Sequence, residues 1–122
     1  MQVDVWTYRE NLPVETIIDG FGVEALDGSI GKVDRASTEV GWGHIVVDTG
    51  PWIFGKRVLL PAGVIDRVDL ENEKVYVNRT KDEIKHAPEF DESFLGDDGY
   101  RDRVGAYYGR SEARGFDEPL VP

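Results

Sequence analysis

Short apolar runs punctuated by glycine, asparagine and aspartate fill the chain from Phe21 to Asn78. Phe21–Leu26 and Ile30–Thr38 flank Asp27-Gly28-Ser29, and a glycine beside aspartate between two apolar runs marks a hairpin, because glycine enters positive-φ turns without steric cost. Gly31 falls inside the second run, where a missing side chain predicts a β-bulge or a tight corner. His44-Ile45-Val46-Val47-Asp48 is continuously apolar through its centre rather than alternating, which predicts a strand covered on both faces at the middle of the core. Trp52-Ile53-Phe54 and Lys56–Pro61 read as two short strands hinged at Gly55, the second ended by a proline with no amide to donate. Val64–Leu70 and Lys74–Asn78 are joined by Glu71-Asn72-Glu73 and form the last pair, with Val75 and Val77 on one face and Tyr76 on the other. Six or seven short strands at this even spacing predict a mainly β fold, a small closed or partly open antiparallel barrel, which removes unpaired sheet edges.

The period changes after Asn78. Thr80-Lys81-Asp82-Glu83 has the form of a capping box, in which the threonine hydroxyl accepts from the amide three residues on and the glutamate reaches back. A short helix is therefore predicted to start there and to finish near Lys85 or His86, because Pro88 disfavours helical geometry in the residue before it. The last segment, residues 89–122, carries six of the thirteen aromatic residues: Phe90, Phe94, Tyr100, Tyr107, Tyr108 and Phe116. Disordered segments are usually poor in such residues. Tyr100, Val104, Tyr107 and Tyr108 stand at helical spacing, with Asp97 or Asp98 placed to cap and Gly109 placed to stop, which predicts an amphipathic helix over 98–108. Gly105 weakens that helix by about 0.8–1 kcal/mol relative to alanine. Its apolar face needs cover, and the side of the barrel is the expected dock, with a second copy of the chain as the alternative.

Composition sharpens the picture in two respects. At 122 residues the chain suits one domain, divided here into an N-terminal extension (1–19), a barrel (20–88) and an acidic aromatic tail (89–122). The net charge of −10 sits on the flanks: residues 1–19 hold four acids and one base, residues 20–88 eleven and nine, and residues 89–122 nine and four. An anionic surface repels phosphate backbones and acidic lipid, so direct nucleic-acid binding and membrane association are both disfavoured, while a basic protein partner is allowed. There is no cysteine, hence no disulfide and no thiolate metal site. Neither a basic-then-apolar start nor a run of about 18 apolar residues occurs, so a soluble, cytoplasmic protein without membrane insertion is expected.

Candidate chemistry is sparse. His44 and His86 are the two histidines, and no HxxxH spacing brings them together as zinc ligands. Ser29, Ser37, Ser93 and Ser111 lack a GxSxG context. Asp91, Glu92, Asp97, Asp98 and Asp102 cluster without the alternating DxDxDG loop of a calcium site, and read as a solvated loop that caps the tail helix. Gly41-Trp42-Gly43 leads into a strand rather than opening a helix, so it offers no phosphate cradle. No catalytic, cofactor or metal residue is expected. What remains is aromatic: Trp42 and Trp52 near loops, and Tyr100, Val104, Tyr107 and Tyr108 on the tail helix, are the candidate partner-binding residues, although the tryptophans serve equally as caps on the core. Arg35 and Lys56-Arg57 give the barrel local basic character, for which pairing with the protein's own acidic tail is the favoured account.

Laid side by side, Val23–Val33, the strand around Ile45-Val46-Val47, Phe54–Pro61, Ile65–Asp69 and Thr80–Phe90 make the segment from Gly20 to Asp91 resemble the PRC-barrel family. That fold is shared by the cytoplasmic part of the photosynthetic reaction-centre H subunit and the C-terminal domain of a bacterial ribosome-maturation factor. The resemblance implies a protein-binding module, often self-associating, with no catalytic residues to carry over. The chain departs from both relatives in having no membrane helix ahead of the barrel and no second barrel. The expectation is a non-enzymatic adaptor that binds a protein partner, including itself as a homodimer. The alternative is an accessory of ribosome maturation or RNA metabolism acting through a ribosomal protein.

Overall fold

The structure, a computed structural model, describes residues 5–9, 12, 17–50 and 56–110. Six strands follow the apolar runs: β1 (Gly22–Ala25), β2 (Gly28–Ser37), β3 (His44–Asp48), β4 (Arg57–Pro61), β5 (Ile65–Asp69) and β6 (Lys74–Val77). They form one sheet in the order β4-β3-β2-β1-β6-β5. β3 lies next to the β4 edge and pairs on both sides, and its Ile45, Val46 and Val47 are fully buried, as continuous hydrophobicity requires. The expected strand Trp52–Phe54 lies outside the described residues.

Two expectations about the sheet need correction. It is mixed rather than antiparallel, because β1 pairs with β6 in parallel. It is also not a closed barrel: among the described residues no pairing joins the two outer strands, β4 and β5. Those strands are nevertheless linked by three residues, the 3-10 turn Ala62–Val64. A flat sheet would hold them five strand spacings, about 24 Å, apart, whereas such a link spans at most about 15 Å. The sheet is therefore strongly curled, with its edges brought together at one corner. At that corner the turn is bonded to other parts of the chain: Ala62 N donates to Gly43 O, and Gly63 N to Val5 O.

Three bulges produce the curl, each an extra residue on one strand that raises local twist. They place Ile30 opposite the Val23/Glu24 step, Asp34 opposite Val47/Val46, and Asp66 opposite Val77/Tyr76. Gly31, read as a bulge in the sequence, sits in the first at φ 145°, and a methyl group there would overlap the Asp48 carbonyl.

The helices follow their predicted caps. α1 (Lys81–Lys85) carries the complete capping box of Thr80 and Glu83. α2 (Asp98–Arg110) starts on Asp97, whose Oδ1 accepts from the amides of Gly99 and Tyr100. It runs through Gly109 rather than stopping there. α2 docks on the chain's own sheet, touching β4, with Tyr100, Val104 and Tyr108 part of the buried core cluster. Its C-terminal end is held by Arg79, a buried cation that donates to the Tyr108 carbonyl at 2.7 Å, where the helix dipole favours positive charge.

The tail is also tied down electrostatically. Glu92 bridges Arg35 (2.6 Å) and Arg57 (3.0 Å), Arg57 reaches Asp34 (3.3 Å), and Lys56 pairs with Glu89 (3.2 Å). The hydrogen bond from Arg35, followed by that from Arg57, holds the Glu92 carboxyl below its usual range. Arg35, Lys56 and Arg57 are thus paired within the chain.

The N-terminal extension proves to be part of the fold. Trp6 O accepts from Gly43 N and Val5 O from Gly63 N, so residues 5–8 form a strap across the open corner. Glycine at positions 43 and 105 makes room for it, since a side chain at either would press on the Trp6 carbonyl or indole. Ile18 is fully buried. No helix among the described residues is long and apolar enough to cross a membrane.

Candidate partner-binding surface

The β2–β3 connection, residues 38–43, carries the most exposed apolar side chain of the described residues, Val40 at 98 %, beside an aromatic cluster. Trp42 packs at 4.7 Å centroid distance, tilted by 45°, against Trp6 of the strap and at 4.7 Å, tilted by 60°, against His44 of β3. The cluster is rigid for identifiable reasons. His44 Nδ1 lies 2.7 Å from the Trp42 carbonyl, and a carbonyl can only accept, so the neutral ring carries its proton on Nδ1. Burial pushes the His44 pKa below its ordinary value. The Tyr8 hydroxyl shares its proton between the carbonyls of Ser37 and His44, and burial pushes its pKa up to about 12.

Two hollows flank this connection. A groove of about 400 Å³ runs between the strap and residues 38–43, walled by Trp6, Tyr8, Glu39 and Val40. On the other side a hollow of about 200 Å³ is walled by Trp42, Leu95 and Gly96 and rimmed by Glu39, Asp97, Asp98 and Arg101. Arg101 lies over the Trp42 ring at 5.6 Å. Aromatic rings fixed by packing at a loop, with room on both sides, are the arrangement that anchors partner side chains.

A third hollow, of about 200 Å³, lies along β4 and the segment after α1, lined by Lys56, Arg57, Phe90 and their neighbours. Lys56 and Arg57 there are already engaged by Glu89, Glu92 and Asp34, which leaves little charge to offer a ligand.

The sequence-derived candidates divide sharply. Trp42 lines the hollow it shares with Leu95 and Arg101. Trp52 lies outside the described residues. Tyr100, Val104 and Tyr108 are at most 1 % exposed, so the chain itself covers them and they present no surface to a partner in this conformation. Tyr107 is half-buried and donates to the Glu83 carbonyl at 2.6 Å, joining α2 to α1. Trp6 and Tyr8 were not singled out, although two aromatic residues within the first eight positions carry the same signal that drew attention to the tail.

The polar residues come together less. His86 is exposed and bonded to Asp82 of its own helix turn, and no group of three His, Asp or Glu side chains suited to a metal ion occurs among the described residues. Asp91 accepts from the Ser93 amide and hydroxyl, as a turn-capping acid does. Comparison of the chain with protein-family models and with curated proteins finds no match in either.

Proposed function

We propose that this chain is a non-enzymatic, PRC-barrel-like protein-binding module that engages a protein partner, or a second copy of itself, through the Trp6–Trp42 face. One observation carries the reading: a packed aromatic cluster at the β2–β3 connection opens onto two adjoining hollows of about 400 and 200 Å³. The order of apolar segments that resembles the PRC-barrel family supports the same class. So does the use of both histidines in local backbone contacts, which leaves the imidazoles committed to structure.

The test compares wild type with Trp42→Ala, light scattering across a concentration series being paired with affinity capture. Self-association or a retained partner that is lost in the variant, whose circular dichroism stays unchanged, is the expected result. A strict monomer that retains no partner in a Trp42-dependent way overturns the proposal.

A further inference from the structure

The structure assigns the hollow beside Trp42 to a positively charged side chain, an arginine of a basic partner peptide, already mimicked within the chain by Arg101; this rests on the protein-binding reading above. Its lining is mostly polar, with the Trp42 ring and Leu95 as its apolar side chains. An indole face is the best of the side-chain surfaces for a cation, and a planar guanidinium stacks on it better than an ammonium. The rim is acidic. The Glu39 carboxylate makes no ion pair or side-chain hydrogen bond among the described residues, and Asp97 uses one oxygen, Oδ1, to cap α2.

Arg101 shows which chemistry fits and how weakly the position is filled. Its guanidinium lies 5.6 Å from the Trp42 ring centroid, with Nη1 3.5 Å from the Gly41 carbonyl and Nη2 3.6 Å from the Asp98 carboxylate. Each polar contact is longer than a good charge-assisted hydrogen bond of about 2.7–2.9 Å, and Asp98 is largely solvated. A stronger cation delivered on a peptide can displace such an occupant, and a net charge of −10 steers basic partners toward the molecule. The adjoining groove, with Val40 and Tyr8, is placed to receive the apolar neighbours of that arginine.

The test uses the full chain, uniformly ¹⁵N-labelled, and the peptide acetyl-Gly-Leu-Arg-Leu-Gly-amide, matched by the same peptide with neutral citrulline in place of arginine. The Trp42 indole N–H resonance is assigned by its loss in Trp42→Ala. Saturable movement with the arginine peptide is expected, absent with citrulline, weakened by added salt and by Glu39→Gln. Arg101→Gln, which removes the internal occupant, is expected to tighten binding about threefold. Equal response to both peptides, no response up to millimolar concentration, or weaker binding by Arg101→Gln overturns the cation seat. Should a Trp42-dependent partner be captured while the two peptides behave alike, the binding-module reading stands and this assignment alone falls.

Discussion

Single residues decide where this chain bends and where it is sensitive to pH. Gly31 sits at φ 145° with the Asp48 carbonyl where a side chain would go. Gly31→Ala is therefore expected to cost roughly 2–4 kcal/mol, from backbone strain and from displacement of the β2–β3 pairing, read as a drop in the urea midpoint. His44 is buried in its neutral form, and desolvation lowers its pKa from 6.5. Between the folded and unfolded pKa values the unfolded chain binds the proton and the folded chain does not. The contribution of His44 is thus complete above about 6.5 and declines as pH falls through that value. Thermal unfolding between pH about 7.5 and about 5.5 is expected to show this loss, and His44→Gln to remove that part of the slope.

Among the elements, α2 bears the clearest energetic signature. Tyr100 and Tyr108 are fully buried, yet neither hydroxyl has a hydrogen-bond partner among the described residues, and burial pushes the Tyr100 pKa up to about 12 and that of Tyr108 higher still. The rings supply the favourable burial and the hydroxyls oppose it. Tyr108→Phe is accordingly expected to be neutral or to stabilise by up to about 1–3 kcal/mol, whereas Tyr108→Ala leaves a cavity and costs about 3–5 kcal/mol. Calorimetry of the two variants checks the contrast; a clear loss in Tyr108→Phe would mean that the hydroxyl has an ordered partner. The caps of α1 and α2 were legible because they depend on residues within four positions of each other. The extension of α2 past Gly109 was not, because tertiary packing of Tyr108 and the Arg79 contact outweigh a glycine's local preference.

For the whole molecule, the local and the long-range parts of the fold differ in how far the sequence reveals them. Strand positions, the bulge at Gly31 and the doubly covered β3 follow from apolar period and glycine placement. Closure does not, since it turns on whether two strands distant in the sheet find one another, and among the described residues β4 and β5 do not pair. The parallel pairing of β1 with β6 is likewise a property of topology that no run of residues encodes. The proposed binding surface was half legible: Trp42 stands out as an aromatic between glycines, but its partner Trp6 comes from 36 positions earlier.

The meeting of Trp6 with Gly105 also sets a sequence of events during synthesis. The strap residues emerge from the ribosome early, and the helix they lean on is translated about a hundred residues later, so that contact is among the last that can form and belongs to the slow, non-local class. Until then the Trp6 indole has Trp42 beside it but lacks the helix face that Gly105 opens to it, and a bulky fusion placed ahead of residue 5 would press on this last contact.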